Sequence, residues 1–323
     1  MTTATNTIEK LLLAAPRGYC AGVDRAVQTV ELALERYGSP VYVRKEIVHN
    51  KHVVEDLRAR GAIFVDEETD VPAGSVTVFS AHGVAPSVHA NAAARQLRTI
   101  DATCPLVTKV HVEAKKFAAD GYTIILIGHD GHEEVEGTMG EAPESIVLVQ
   151  TEAEVDLLEI GNPEKLAFIS QTTLSVDETS AIIARLRERF PQITGPRTDD
   201  ICYATTNRQA AVKQMAGHCD LLLVVGSRNS SNSKRLVDVS RDLGTEAHLI
   251  DNEIDVDEAW LEGRRVVGIS SGASAPEELV QRLVGFFRDR GVDEVEEFAV
   301  LREDVRFMLP KTIRPDRADA SPS

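Results

Sequence analysis

Short, unbroken runs of Val, Ile and Leu alternate with longer helical patterns along the whole chain, and this alternation restricts the fold more than any other feature. Strands are predicted at Lys10–Ala15, Val41–Val43, Ser75–Phe79, Tyr122–Ile127, Ile146–Val149, Lys165–Ile169, Asp220–Val225, Glu246–Ile250 and Arg265–Ile269. Continuous rather than alternating hydrophobicity marks strands covered on both faces, as in parallel sheets with helices on either side. Helices are predicted between them, at Asp24–Tyr37 before Gly38, Val107–Ala119 before Gly121, and Thr179–Phe190 before Pro191. The class is therefore α/β with small, mainly parallel sheets.

The chain also carries a coarse threefold pattern. Each third has one cysteine just ahead of a helix, then strands that end in polar loops. The loops are Val48-His49-Asn50 and Ser80-Ala81-His82-Gly83, then Gly128 to Glu134 and Ser170-Gln171-Thr172-Thr173, then Gly226 to Ser233 and Ser270 to Ser274. Ligands of open α/β sheets bind at the carboxyl ends of strands, so six such loops are expected to converge on one site. The predicted division is a tail over 1–9, three similar α/β domains over 10–104, 105–198 and 199–310, and a mobile tail over 311–323, where apolar periodicity fades.

Three of the four cysteines sit where a helix begins. Cys104 precedes Pro105, a residue favoured at the first helical position. Cys20 precedes the helix that starts near Asp24, and Cys202 precedes the helical stretch Arg208–Ala216. A helix N-terminus favours thiolate, the form that binds metal. Spacing alone leaves two readings open, buried structural cysteines and metal ligands, because no C-x-x-C pair is present. The repeated strand–Cys–helix setting favours ligands. Three thiolates would leave one iron of a four-iron cluster without a protein ligand, free to act as a Lewis acid. Cys219, in Gly217-His218-Cys219-Asp220, lacks that setting and reads as structural.

His49, His82 and His132 each follow an apolar run in a strand-end loop, where an imidazole N–H could meet a phosphate oxygen. His89, His111, His218 and His248 read as solvated or internally satisfied. The loops Ser227 to Ser233 and Ser270 to Ser274 add hydroxyl and amide donors ahead of helices, a setting that suits anions. Glu133 and Glu136 read as part of a solvated charge run, whereas Glu134, two residues after His132, is a plausible proton donor. No phosphate-loop or dinucleotide fingerprint is present.

The 323 residues have 35 Lys and Arg against 51 Asp and Glu, a net charge of −16. That field argues against nucleic acid and against acidic membrane surfaces. The first residues show no basic stretch leading to a cleavage motif, and Leu11 to Ala15 is too short to span a bilayer, so a cytoplasmic protein is expected.

Taken together, these segments resemble one family, 4-hydroxy-3-methylbut-2-enyl diphosphate reductase of the non-mevalonate isoprenoid pathway. The resemblance is carried by Pro16 to Val23, Ile47 to Asn50, Ala81 to Val84, Asp101 to Val107, Gly131 to Gly140, Gln171 to Ser175, Asp200 to Arg208, Ser230 to Ser233 and Ser270 to Ser274. It implies three α/β domains around a central iron–sulfur site. That site would be one [4Fe–4S] cluster on Cys20, Cys104 and Cys202, with the fourth iron open to substrate. The implied reaction is a two-electron reductive dehydroxylation giving isopentenyl and dimethylallyl diphosphates. By matched position, His49, His82, His132, Ser230, Ser231, Asn232 and Ser274 would hold the diphosphate. Thr172 and Glu134 would serve the hydroxyl and its proton. Lacking a flavin or nicotinamide motif, the chain would draw electrons from an external ferredoxin or flavodoxin. Departures are Glu133 where proline is expected, Tyr19 where phenylalanine is common, and Cys219. Two other readings stand beside this one: a zinc hydrolase using three cysteines and a water, and a non-catalytic module for phosphorylated metabolites.

Overall fold

A computed structural model describes residues 8–314 of the chain. Twelve strands among them form three sheets, and every strand pairing is parallel. In chain order the strands are β1 (Lys10–Ala15), β2 (Val41–Arg44), β3 (Ala62–Val65), β4 (Val76–Phe79), β5 (Arg98–Asp101), β6 (Thr123–Ile127), β7 (Ile146–Val149), β8 (Leu166–Ser170), β9 (Leu221–Val225), β10 (Glu246–Ile250), β11 (Val266–Ser271) and β12 (Glu294–Ala299). The sheets run β3-β2-β4-β5, β7-β6-β8 and β10-β9-β11-β1-β12. Each therefore contains the same nucleus, in which the first strand of a set lies between the second and the third.

The central strands are the continuous apolar runs. β9, Leu-Leu-Leu-Val-Val, and β8 are buried at every residue, which is why they show no alternation. The strands that sequence patterning misses lie at sheet margins. β5 and β12 are edge strands of mixed polarity, β12 with three glutamates. β3 is a four-residue edge strand beside β2.

Three groupings by chain position are corrected. β1 is not part of the first unit, because Lys10 to Leu13 pair with Val266 to Ile269 in the sheet of the last third. Ile8, placed in the N-terminal tail, is buried in that sheet's core. Ile313, placed in the C-terminal tail, packs into the core formed by the helix Ala21–Tyr37 and β2. An isoleucine beside an apolar core gains roughly 1.5–3 kcal/mol by burial, enough to hold a segment that has no periodicity of its own. The remainder of both expected tails, 1–7 and 315–323, lies outside the described residues.

The threefold pattern extends to the strand ends. Within each nucleus the loop after the third strand donates a backbone N–H to the loop or strand end of the first: Ala81 to Ile47 at 3.1 Å, Gln171 to Ile127 at 2.8 Å, and Gly272 to Val225 at 2.9 Å. The cysteines use the same loops. The Cys104 N–H donates to the Ala81 carbonyl at 2.9 Å, Cys202 to Thr172 at 3.0 Å, and Cys20 to Ala273 at 3.1 Å. Each sheet thus anchors one cysteine at its carboxyl end.

Candidate functional site

Cys20, Cys104 and Cys202 are the N-cap residues of the helices Ala21–Tyr37, Pro105–Ala119 and Tyr203–Ala216. All three line one central chamber and none is in a disulfide. Close approach of the first helix to this group depends on Gly22. A Cβ there would lie 2.7 Å from Cys104 Sγ and 3.8 Å from Cys20 Sγ. Burial raises the thiol of Cys104 to about 12 and that of Cys202 to about 11, and it raises Cys20 as well. Three clustered buried thiols therefore become thiolates only against a compensating positive charge, which a bound metal group supplies. Helix N-termini and the fully buried Arg208, whose charge favours the Cys20 thiolate, assist. Arg208 is held by the carbonyls of Gly18, at 2.7 Å, and Ala204, at 3.0 Å, and by the Glu303 carboxylate at 3.1 Å. The donor set, its geometry at three helix starts and its need for positive charge fit an iron–sulfur cluster.

The same chamber is lined by His49, His82, His132, Glu134, Thr172, Ser230, Ser231, Asn232 and Ser274. Every site residue expected from the sequence is thus brought to one place. Asn232 is 4% exposed, and neither its amide nitrogen nor its amide oxygen has a hydrogen-bond partner. A buried amide left unpaired costs free energy, so its orientation fits a site made for a polar ligand. It lies in the first turn of the helix Ser231–Asp242, where N–H groups face outward for an anion. Ser230 caps that helix by accepting from the Ser233 N–H at 3.3 Å, and Ser274 donates to the His49 carbonyl at 2.9 Å.

Glu134 lies in the first turn of the short helix Glu133–Met139, which His132 caps. Burial raises its carboxyl to about 7, although two hydrogen bonds from Thr172 favour the anion. Burial also holds the His132 imidazole at about 2, reinforced by His82 and His49. His132 is therefore a neutral ring. Its Nδ1 accepts from the Glu134 N–H at 3.2 Å, so its own proton is on Nε2.

Glu133 corrects the solvated-face expectation. Its carboxylate accepts from His82 Nδ1 at 3.1 Å, and its side chain is only 17% exposed. Glu136 is exposed as expected. The sequence reading also missed Phe307, from the segment after β12, and Tyr203, both of which line the chamber. Phe307 carried no signal, since it arrives by tertiary packing alone. Tyr203 had one, its position directly after Cys202. Cys219 packs against the core around Leu222 and does not line the chamber.

Fold and site together define a three-sheet α/β protein whose centre gathers three free cysteines, three histidines and an unpaired buried amide in one chamber. Family comparison matches residues 11–288 to the LytB protein family. A relative from Nocardia farcinica is 59% identical over 98% of this chain and 94% of its own length, and one from Acidothermus cellulolyticus is 59% identical over 94% and 90%. Both are named 4-hydroxy-3-methylbut-2-enyl diphosphate reductase. A solved structure of the E-1-hydroxy-2-methyl-but-2-enyl-4-diphosphate reductase from Plasmodium falciparum superposes with a TM-score of 0.92 at 40% identity, over 95% of this chain and 97% of that one. The chain belongs to the LytB family of iron–sulfur oxidoreductases. No helix among the described residues is long and apolar enough to cross a membrane.

Proposed function

We propose that this chain reduces 4-hydroxy-3-methylbut-2-enyl diphosphate to isopentenyl and dimethylallyl diphosphates in the cytoplasm, the last step of the non-mevalonate pathway. The site would be one [4Fe–4S] cluster on Cys20, Cys104 and Cys202. The observation that carries this reading is the convergence of three helix-capping thiols on a chamber that also holds His49, His82, His132 and the unpaired amide of Asn232.

When bound, the cluster would supply electrons and, at the iron without a thiolate, a Lewis acid. Around it, this chain's residues bind, orient and protonate. His49, His82, His132, Ser230, Ser231, Asn232 and Ser274 would take the diphosphate, with the outward N–H groups of the helix Ser231–Asp242 adding to them. The overall reaction consumes two electrons and two protons and releases the hydroxyl as water. Glu134 would hold one of those protons beside the hydroxyl, with Thr172 orienting the carboxyl through both its N–H and its Oγ1. With a net charge of −16, the chain would bind a small anion through this local set of donors, against its overall field. Electrons would come from an external protein of the ferredoxin or flavodoxin type.

Anaerobic purification tests this reading. Iron and sulfide in a brown protein that turns over the diphosphate are the expected result. A colourless protein that holds zinc and releases no isoprenoid diphosphate would sink it.

A further inference from the structure

Two of the three chamber histidines differ from the third in how their Nδ1 atoms are engaged. His82 Nδ1 lies 3.1 Å from the Glu133 carboxylate, with Ser80 Oγ at 3.4 Å. His49 Nδ1 lies 3.3 Å from the Glu46 carboxylate, which also accepts from the Asn229 amide at 2.7 Å. The two rings are stacked with centroids 4.0 Å apart and planes 17° from parallel, and His132 stands edge-on to both.

The chemistry of the ring follows from these partners. A carboxylate at Nδ1 keeps a proton there, so the neutral ring has a bare Nε2, which repels a phosphate oxygen. Only as imidazolium does such a ring donate from Nε2. His132 is the opposite case, donating from Nε2 while neutral. Two imidazoliums stacked at 4.0 Å repel each other, and burial adds to the cost, holding His49 below its usual range. A diphosphate removes that penalty by placing negative charge against both rings.

We propose that diphosphate binding in this chain is coupled to proton uptake by the stacked His49–His82 pair, and that Glu133, with Glu46 in the equivalent place on His49, is the positioning residue that makes this possible. Glu133 is the more telling of the two. It occupies the first position of its helix, where no helical hydrogen bond needs it, and its carboxylate is aimed at His82 instead of solvent. Burial would raise the Glu133 carboxyl, but the His82 contact outweighs it and keeps Glu133 below the usual carboxylate range. The other charged or titratable groups facing this pair are His132, Glu134 and Lys45, with His129 and Lys234 behind His132.

This inference rests on the diphosphate-site reading above, and the experiment separates the two. Inorganic diphosphate is titrated calorimetrically into the anaerobic cluster-loaded protein, across pH 6–9 and in buffers of different ionisation enthalpy. The wild type is expected to take up protons, with Kd rising about tenfold per pH unit for each proton taken up, between the titration midpoint of the free pair and that of the complex. Glu133→Gln and Glu133→Pro both remove the carboxylate, and proline suits a first helical position. Both are expected to move that midpoint to lower pH by about one unit or more, with iron content retained. The titration of the ligand itself is common to all three proteins and cancels in the comparison. Wild-type binding with no proton uptake beyond that of diphosphate, or variant profiles that superimpose on the wild type, would overturn the inference while leaving the diphosphate site intact. Failure of the wild type to bind diphosphate at any pH would overturn the site reading itself. Absence of proton uptake in the wild type overturns the inference even if both variants misfold.

Discussion

Thr172 donates twice to Glu134, from its backbone N–H to Oε1 at 2.6 Å and from its hydroxyl to Oε2 at 3.0 Å. Both residues are buried, and the Thr172 carbonyl in turn accepts from the Cys202 N–H at 3.0 Å. One short chain of hydrogen bonds therefore links the acid to a cysteine backbone, which fixes the carboxyl relative to the thiols.

With its value raised to about 7, Glu134 carries its proton below neutral pH and loses it above. Turnover is expected to fall as pH rises through about 7. Glu134→Gln keeps shape but cannot deliver a proton, so turnover should drop about 10²–10⁴-fold with iron content unchanged. Steady-state assays beside iron analysis check this, and wild-type turnover in the variant would assign the proton to another donor.

Serine at Cys20, Cys104 or Cys202 should each abolish the iron–sulfur chromophore, whereas Cys219→Ser should keep it. Cys219 sits under the core near Gly268 and lines no part of the chamber. Anaerobic absorbance and sulfide assay decide the point. Loss of iron in Cys219→Ser alongside its retention in Cys104→Ser would reverse the ligand assignment.

Gly22→Ala places a methyl 2.7 Å from Cys104 Sγ. A helix interior favours alanine over glycine by roughly 0.5–1 kcal/mol, so the helix itself should not suffer. Iron content is expected to fall well below wild type while circular dichroism stays the same. Full cluster loading would mean that Cys104 swings clear without consequence.

Asn232→Ala removes both unpaired amide atoms from the chamber. Lost hydrogen bonds to a charged ligand are typically worth about 1.5–3 kcal/mol, so diphosphate affinity should weaken roughly tenfold to a hundredfold. Stability should hold or rise slightly, since no partner in the protein is left unpaired. Calorimetric binding and a urea melt are the measurements, and unchanged affinity would exclude Asn232 from the ligand site.

Glu303→Gln leaves the fully buried Arg208 without its charged partner. Removing one member of a buried ion pair typically costs about 3–5 kcal/mol; the carbonyls of Gly18 and Ala204 that remain on Arg208 place the expectation near the lower figure. Denaturant midpoints for the two proteins test it, and equal midpoints would mean that the carbonyls suffice.

The α/β class, the central strands and the helix-capping cysteines are legible along the chain because each rests on local pattern. A strand buried on both faces must be continuously apolar, and a helix start leaves its mark in proline, capping residues and the onset of periodicity. What local pattern could not reveal is partnership. β1 joins the last sheet because Lys10 to Leu13 find Val266 to Ile269, a pairing that no neighbouring residue encodes. Ile313 and Phe307 are placed by the same long-range packing.

The glutamates show where that boundary lies. The sequence by itself determined that a run of acidic residues follows His132 at a strand end, and that a carboxyl there is available for proton chemistry. Only the tertiary structure decided what each carboxyl meets. Adjacent residues at a helix start point in different directions, so Glu134 is carried inward onto Thr172 while Glu133 meets His82 from another sheet. Burial then raises the first to about 7, whereas the His82 contact overcomes burial and keeps the second ionised. Side-chain type sets what a group can do; the dielectric and the partner it meets, both products of long-range packing, set which of those things it does.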